Sequence, residues 1–226
     1  MDTALITGAS RGLGLALARE LARRSWRLVI DARGAEALEA ARAELAELTE
    51  VVAIPGDVAD AEHQRALDEA AGPRIDLLVN NASVLGPSPQ PALADYPLDA
   101  LEHVYHVNVH APLALTQLAL PRLRPGACVV NVTSDAAVEP YEGWGGYGSS
   151  KAALEQLTRI LGAEHSDLRI LAIDPGDMRT QMHQEAFPGE DISDRPLPEA
   201  IVPGVLAIAC GDAPSGRYDA TAVTPA

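Results

Sequence analysis

Short apolar runs rich in β-branched residues alternate along this chain with longer segments in which apolar residues recur every three or four positions. The short runs predict β-strands and the longer segments predict amphipathic helices. The predicted strands cover 3–7, 27–32, 51–55, 75–79, 127–133 and 168–173. The predicted helices cover 13–24, 35–48, 60–71, 99–122 and 147–164, with a bend at Pro112 in the fourth. Strands that alternate with helices indicate right-handed βαβ units, and therefore a parallel sheet with helices on both faces.

The chain shows no repeat and no linker, so residues 1–226 are expected to form a single domain. The least regular segment is 174–204, which contains five prolines and the acidic pair Glu190-Asp191. Long loops in compact domains often close over a site. We expect 177–200 to be a substrate lid, the alternative being a surface excursion.

Composition narrows the classes of function. The net charge is −15 and the sequence pI is about 4.7. A strongly acidic chain is a poor partner for nucleic acid or an anionic membrane, which attract basic surfaces. The sequence contains no run of about 18 apolar residues, so no membrane span is predicted. The start of the chain lacks the layout of a signal peptide, and two cysteines without a predicted disulfide indicate a reducing cytoplasm, so a cytoplasmic location is expected.

The cysteines and histidines of this chain indicate neither a disulfide bond nor a metal site. Cys128 and Cys210 lie in apolar surroundings and are expected to be buried, reduced thiols. His103, His106 and His110 share a helical spacing but lack a carboxylate or cysteine pattern beside them. We interpret them as surface or interface residues and predict no metal site.

The candidate chemistry lies at Tyr147 and Lys151, four residues apart at the start of a predicted helix. Side chains at that spacing share a helix face. A cation close to a tyrosine lowers the phenol pKa from its usual value of about 10, which suits a general acid or base. Of the 17 Lys and Arg residues, Lys151 is the one lysine. Ser134 would add a hydroxyl that holds a substrate oxygen, although Tyr-x-x-x-Lys alone is a weak motif.

A glycine-rich loop follows the first predicted strand and opens the first predicted helix. It reads Thr-Gly-Ala-Ser-Arg-Gly-Leu-Gly over 7–14. Glycines permit close approach of a ligand, and a helix N-terminus offers N–H groups to a phosphate. We therefore predict phosphate binding here, the alternative being a ligand-free turn. The residues predicted to bind are Gly8, Ser10, Arg11, Gly12, Leu13 and Gly14.

Together these motifs resemble the short-chain dehydrogenase/reductase family of the compact type, over nearly the whole chain. The motifs in order are Thr7-Gly8-x-x-x-Gly12-x-Gly14, Asp57-Val58, Asn80-Asn81-Ala82, Asn108, Ser134, Tyr147-x-x-x-Lys151 and Pro175-Gly176. The resemblance implies a Rossmann-like, doubly wound parallel sheet in three α/β/α layers. It also implies an oxidoreductase that moves hydride between a nicotinamide cofactor and a carbonyl/alcohol substrate.

The resemblance assigns four catalytic residues. Tyr147 would exchange the proton with the substrate oxygen as general acid or base, and Ser134 would hold that oxygen. Lys151 would lower the pKa of Tyr147 and bind the nicotinamide ribose. Asn108 would hold a water that links Lys151 to solvent, although a buried helix asparagine that bonds the backbone is compatible with this.

The resemblance also assigns cofactor contacts. Asp57 and the Val58 backbone would bind adenine, unless Asp57 only caps a loop. Asn80 would line the adenosine ribose. Where the family usually has glycine this chain has Ser83, and a serine does not readily take a positive φ. The remaining cofactor contacts are Ala82, Tyr147, Lys151, Pro175, Gly176 and Thr180.

The end of the second strand decides the cofactor. An acidic residue there would bind the ribose 2′-OH of NAD, but the expected position is Ala32, followed by Arg33. Arg33 and Arg11 would face a 2′-phosphate, so NADP (NADPH) is favoured over NAD. A register shift of one residue would instead place Asp31 in the acidic position and favour NAD.

The sequence says less about the substrate. Tyr141, Trp144 and Met182 are expected near the pocket and suit an apolar or ring-bearing carbonyl or alcohol. The resemblance implies a homodimer or homotetramer. Three alternatives remain: an NAD-dependent alcohol dehydrogenase, a sugar-nucleotide epimerase or dehydratase, which usually has a longer C-terminal region, and a non-catalytic dinucleotide-binding sensor or scaffold.

Overall fold

The computed structural model describes residues 1–223. Its centre is one seven-stranded sheet in which every pair of neighbouring strands is parallel, in the order β3-β2-β1-β4-β5-β6-β7. The strands are β1 (Thr3–Ile6), β2 (Arg27–Ala32), β3 (Val51–Pro55), β4 (Ile75–Asn80), β5 (Leu123–Val132), β6 (Arg169–Asp174) and β7 (Gly216–Asp219). The order reverses between β1 and β4, and ligands of such sheets bind outside the strand ends at this point. The predicted Rossmann-like fold is therefore confirmed.

Helices cover both faces of the sheet. They are α1 (Gly12–Arg23), α2 (Ala35–Leu45), α3 (Ala61–Ala71), α4 (Leu98–Tyr105), α5 (Ala111–Ala119), α6 (Gly145–Glu164), α7 (Gln181–Ala186) and α8 (Pro198–Ala209). One apolar core joins α1, α2 and α8 to the sheet, and a second joins α3, α5 and α6 to its other face. Successive residues of a strand serve opposite faces, as Ile6 in the first core and Leu5 in the second show. None of the helices within residues 1–223 is long and apolar enough to cross a membrane.

The predicted long helix 99–122 is confirmed as one helical run from α4 through α5, but it contains a π-helical turn. A π-helical turn, His106–His110, separates α4 from α5. Pro112 lies directly after the π turn in a backbone that is already helical at His110 and Ala111, so its missing N–H removes one hydrogen bond from the run. The departure from a regular α-helix is this wider π turn, which has no simple hydrophobic signature.

The segment 174–204 contains more regular structure than predicted. It contains α7 and the first half of α8, and β7 follows where no strand was predicted. Pro203 lies inside α8, and a proline within a helix weakens the sequence signal for that helix.

The two cysteines are free thiols, as predicted. Cys128 is buried as expected, but Cys210 is exposed, so the prediction of burial was wrong for Cys210.

Candidate active site

A cavity of about 940 Å³ opens at the carboxyl ends of the strands, on both sides of the switch point. It extends from the glycine loop to Tyr147 and brings most of the predicted site together. The predicted residues that line it are Gly8, Ser10, Arg11, Gly12, Leu13, Arg33, Asp57, Val58, Ala82, Ser134, Tyr147, Lys151, Pro175, Gly176 and Thr180.

Asn80 does not line this cavity, and its predicted contact with the ribose is corrected. Its amide is buried between strands and donates to Asn131 Oδ1 at 2.7 Å and Thr116 Oγ1 at 3.3 Å. The following residue, Asn81, lines the cavity instead. Alternation along an extended chain explains the difference, because adjacent side chains point to opposite sides.

The glycine loop is held in place by β4 and by its own glycines. The Thr7 hydroxyl accepts from the Asn81 and Ala82 N–H groups, each at 3.0 Å. Gly14 lies beneath the loop rather than in the cavity lining, and a Cβ atom there would lie 2.5 Å from the Gly8 oxygen. Gly8 has φ +67°, which glycine adopts without strain. The loop backbone therefore stays close to α1, where N–H groups can face a phosphate.

β2 ends beside the glycine loop, with the acidic Asp31 inside the strand and the basic Arg33 directly after it. Asp31 and Ala32 both line the cavity, but Asp31 is 1% exposed. Its carboxylate accepts from Gly8 N at 2.7 Å and bonds His63 Nε2 at 3.0 Å. Arg33 is exposed and makes no ion pair within residues 1–223. The carboxylate is thus engaged by protein groups, while the guanidinium remains accessible to a ligand.

Asp57 caps its loop and also lines the cavity, so its contact with adenine stays a prediction. Its Oδ1 accepts from Ala59 N at 2.9 Å, which is an Asx turn in the loop after β3. The residue is nevertheless exposed and lines the cavity. Val58 beside it is buried at the same wall.

Tyr147 and Lys151 lie together on the first two turns of α6, both buried. The expected lowering of the Tyr147 pKa by Lys151 is not found. Burial raises the phenol pKa, and the carboxylates of Asp174 and Asp135 raise it further. Burial also lowers the pKa of Lys151 to about 8. Lys151 Nζ donates to the Val132 oxygen at 2.8 Å, so its hydrogen bond goes to the backbone of β5.

Ser134 follows β5 and begins a short 3₁₀ turn over 135–137. Its hydroxyl donates to Asp135 Oδ1 at 2.9 Å, and Tyr141 donates to the other oxygen of that carboxylate at 2.9 Å. Sequence reasoning missed Asp135, although its position next to the candidate serine was a visible signal. The structure thus adds a carboxylate at the substrate end of the cavity.

Asn108 lies in the π-helical turn and is 1% exposed. Its Oδ1 accepts from Val84 N at 2.9 Å and from Ser83 Oγ at 3.0 Å. Its Nδ2 donates to Val84 O at 2.9 Å and Ser150 Oγ at 3.1 Å. All four positions of the amide are therefore used by protein groups. A water held by Asn108 must bind its main chain, and that role stays a prediction.

A partly buried cluster of charged side chains joins α6, β6 and β7. Arg217 on β7 contacts Glu155 of α6 and Asp174 of β6, both at 2.9 Å. Its Nη2 also reaches the Ser134 carbonyl at 3.4 Å. Thr133 donates to the same Glu155 oxygen at 2.8 Å. Sequence reasoning missed this cluster because its members lie far apart along the chain and show no motif.

Part of the cavity lining is apolar, and some of its apolar side chains come from the segment after β6. Trp144, Met178 and Met182 line the cavity, as the sequence suggested for Trp144 and Met182. Tyr141 is exposed and is absent from the lining. The rings of Trp144 and Tyr147 meet edge to face, with centroids 5.8 Å apart.

The cavity fits a dinucleotide in two respects. A Cβ atom at Gly8 would lie 3.0 Å from Ala82 Cα, so glycine lets the loop that lines the cavity pack closely against the residues after β4. Arg11 and Arg33 supply positive charge at that end. Within residues 1–223, no group of three or more His, Cys, Asp or Glu side chains is placed to hold a metal ion.

Comparison with known proteins finds reductases and dehydrogenases among the proteins that this chain resembles. A rhamnolipid-biosynthesis 3-oxoacyl-[acyl-carrier-protein] reductase from Pseudomonas aeruginosa is 37% identical over 193 residues, which cover 79% of this chain and 73% of the reductase. Serine 3-dehydrogenase from Agrobacterium fabrum is 37% identical over 186 residues, with the same coverage of each chain. A Shigella flexneri protein described as a short chain dehydrogenase, in complex with NADP, superposes with a TM-score of 0.88 and 28% identity over 97% of both chains.

The family model for short chain dehydrogenases matches residues 2–191, most of the chain. The matched region ends after α7 and includes every residue from Gly8 to Ala186 that lines the cavity. The chain therefore belongs to the short-chain dehydrogenase family and is an NAD(P)-dependent oxidoreductase.

Proposed function

We propose that this protein is an NADPH-dependent reductase of carbonyl compounds with Tyr147 as the general acid. The observation that carries the proposal is the position of Tyr147, whose buried phenol lines the cavity that begins at the glycine loop. Ser134 lines the same end. A hydroxyl and a phenol there can both bond one substrate oxygen.

The proposed direction is reduction. Burial and two nearby carboxylates raise the pKa of Tyr147, so it carries its proton at neutral pH. A protonated phenol is the form that donates to a carbonyl oxygen. Bound NADPH would supply the hydride. Tyr147 would donate its proton to the oxygen as that oxygen gains charge, and Ser134 would orient it.

NADP is proposed as the cofactor on two observations. The Arg33 guanidinium is accessible directly after β2, and the exposed Arg11 lines the same cavity. The competing residue, Asp31, is occupied by Gly8 and His63. An NAD-dependent alcohol dehydrogenase therefore has less support.

The substrate is proposed to be apolar or ring-bearing, because Trp144 and Met182 line the cavity and pack beside Tyr147. We propose that 177–200 acts as the lid, since much of it lines the cavity. The segment contacts the body through Ser88 Oγ and the Glu185 oxygen, 2.6 Å apart. Slower proteolysis of 177–200 on addition of NADPH would support closure.

A homodimer or homotetramer and a cytoplasmic location are proposed on family resemblance. Sedimentation equilibrium of the purified chain measures the first, and fractionation of the cells that produce it measures the second.

The decisive experiment follows nicotinamide absorbance with a panel of aromatic and aliphatic ketones. We expect Tyr147→Phe to lose turnover by about 10²- to 10⁴-fold. The matched control is Tyr105→Phe, since Tyr105 does not line this cavity. Both variants should still bind NADPH. Unchanged turnover in Tyr147→Phe would remove Tyr147 from the mechanism.

A further inference from the structure

His63 lies outside the cavity lining but contacts Asp31, which is part of that lining. It is the third residue of α3, and Asp60 caps this helix by accepting from the N–H groups of Glu62 and His63 at 2.6 and 3.2 Å. Only 8% of the His63 side chain is exposed. The cap therefore fixes the start of α3, and α3 carries the imidazole to the end of β2.

Gly56, directly after β3, leaves room for the imidazole. A Cβ atom at Gly56 would lie 2.3 Å from His63 Nδ1, which is too close without a shift of the ring or the backbone. The Gly56 N–H donates to the Ala32 oxygen at 3.1 Å, so this backbone is tied to β2. The two nitrogens of the ring thus face Gly56 and Asp31, and the ring is confined between them.

Both oxygens of the Asp31 carboxylate are bonded. Oδ1 accepts from Gly8 N at 2.7 Å, and Oδ2 lies 3.0 Å from His63 Nε2. The ionised carboxylate only accepts, so Nε2 carries the hydrogen of that bond. The main-chain oxygen of Asp31 also accepts from Ala9 N at 2.8 Å. Asp31 is therefore joined to the glycine loop twice, and His63 is the one side chain within residues 1–223 that bonds its carboxylate.

The direction of this carboxylate bears on the cofactor. In dinucleotide-binding sheets, an acidic side chain after the glycine loop accepts from the ribose 2′-OH of NAD, and an arginine nearby accommodates the 2′-phosphate of NADP. A free carboxylate there would also repel the 2′-phosphate. Asp31 borders the cavity but is 1% exposed, whereas Arg33 is exposed. The two residues therefore differ in what they offer a nucleotide.

We propose that His63 is a positioning residue that sets the preference for NADPH over NADH. By bonding Oδ2, it holds the Asp31 carboxylate on Gly8 N and away from the ribose, which leaves the 2′ position to Arg33. This role rests on the proposed function, because it deepens the choice of cofactor made there. His63 acts through Asp31 and does not touch the nucleotide, since it does not line the cavity.

Removal of the imidazole frees one oxygen of Asp31. A buried charge without a partner is unfavourable, so the carboxylate is expected to turn towards a new donor. Because Asp31 lines the cavity, that donor is water in the free protein and the ribose 2′-OH in the NADH complex. In the NADPH complex the same carboxylate would repel the 2′-phosphate. Loss of His63 should therefore weaken the binding of NADPH and preserve or improve that of NADH.

The test is the ratio of the Kd for NADH to the Kd for NADPH, measured by nicotinamide fluorescence at one pH and ionic strength. His63→Leu removes the hydrogen bond, and His63→Gln keeps an N–H donor. We expect the ratio to fall by about tenfold or more in His63→Leu and to stay within about threefold of wild type in His63→Gln. The matched control is His165→Leu, since His165 follows α6 and does not line the cavity. Its ratio should equal that of the wild type.

Two further variants separate the charge of Asp31 from a loosening of the fold. Adding Asp31→Asn to His63→Leu removes the repelling charge, so the ratio should rise again. Gly56→Ala keeps both side chains but displaces the ring, so the ratio should fall as in His63→Leu. A merely structural role of His63 would weaken both nucleotides by the same factor and leave the ratio unchanged.

The ratio and the turnover answer separate questions. A wild-type ratio in His63→Leu and Gly56→Ala would overturn the role of His63, whatever the activity. If the wild type binds NADPH but reduces no carbonyl compound, the proposed function fails, and the ratios still decide the role of His63. If the wild type binds NADH more tightly than NADPH, the choice of cofactor and the role of His63 are both overturned. Should His63→Leu fail to fold, Gly56→Ala against the wild type gives the same comparison.

Discussion

Lys151 Nζ stands 5.4 Å from the centre of the Tyr147 ring and donates its hydrogen bond to the Val132 carbonyl, 2.8 Å away. The pair is therefore close in space without a bond from the ammonium to the phenol. Burial acts on both groups and favours their neutral forms. It raises the pKa of Tyr147 and lowers that of Lys151 to about 8.

The ionisation of Lys151 can be observed directly. The chain contains one lysine, so protein labelled with ¹⁵N-lysine gives a single side-chain signal. Without nucleotide, we expect its NMR titration midpoint near pH 8. A midpoint near the ordinary lysine pKa of about 10.4 would show that burial does not control this group.

The same shift makes stability depend on pH. The pKa of Lys151 falls from 10.5 to about 8 on folding, so between these values the unfolded chain holds a proton that the folded chain lacks. Stability from this group therefore rises with pH across that window, by up to about 3 kcal/mol. Below pH 8 the cost of burying the ammonium is fully present.

Denaturant unfolding of the wild type and Lys151→Met at several pH values tests this. The variant lacks the buried charge, so the wild type should gain stability relative to it as pH rises from 8 towards 10.5. A difference that stays constant with pH would contradict the expected linkage.

Cofactor preference should depend on Arg33. Its exposed guanidinium is proposed to bind the 2′-phosphate, and hydrogen bonds to charged groups contribute about 1.5–3 kcal/mol. Arg33→Ala should raise the KM for NADPH by about ten- to a hundredfold and leave that for NADH nearly unchanged.

The control for Arg33 is Arg65→Ala, since Arg65 is exposed on α3 and does not line the cavity. It removes the same charge from the protein without touching the site. An equal loss of NADPH affinity in both variants would indicate a general electrostatic effect. An equal rise of both KM values in Arg33→Ala would mean that Arg33 does not read the 2′-phosphate.

The sequence predicted most strands and the glycine loop because these depend on local chemistry. The run that forms β2 is apolar and β-branched, and its ends match the prediction. The π turn that carries Asn108 was missed because it inserts an extra residue into an otherwise helical pattern. β7 was missed because it is short and includes Arg217 and two other polar or flexible residues.

Within the site, residue types were easier to predict than their contacts. Tyr147 and Lys151 were found from spacing, but the direction of the Tyr147 pKa depended on burial, which spacing does not give. Asn80 was assigned to the cavity and its neighbour Asn81 lies there, since orientation alternates at the strand end. The contact of Arg217 with Glu155 spans 62 residues and has no sequence signal.

Gly14 should be needed for nucleotide binding although it does not line the cavity. An added Cβ would lie 2.5 Å from the Gly8 oxygen and 2.6 Å from Asn81 Nδ2. Backbone cannot give way as a side-chain end can, so the loop must shift, at a cost on the order of 1–3 kcal/mol. In Gly14→Ala we expect the Kd for NADPH to rise about tenfold or more, as measured by nicotinamide fluorescence.

The control for Gly14 is Gly216→Ala, because a Cβ at Gly216 would meet only the Tyr218 ring, 3.6 Å away. This is an ordinary contact at a distance from the loop. Affinity for NADPH should be the same as in the wild type. Wild-type affinity in Gly14→Ala would show that the loop can move without loss.

Arg217 should stabilise the fold more strongly than a surface arginine, because it neutralises buried carboxylates. The Glu155 side chain is 3% exposed and that of Asp174 is 10% exposed, and both contact Arg217 at 2.9 Å. Removing one partner leaves charge buried without compensation, which typically costs about 3–5 kcal/mol. Arg217→Met should lower the free energy of unfolding by that amount, as measured in urea.

The matched control is Arg42→Met, which breaks an exposed ion pair with Glu39 on α2. Exposed pairs contribute about 0–1 kcal/mol, so this variant should resemble the wild type. Adding Glu155→Gln to Arg217→Met should recover part of the loss, because the second change removes one of the uncompensated charges. If Arg217→Met is no less stable than Arg42→Met, the carboxylates are neutral or hydrated in the folded state and the cluster does not act as an ion pair.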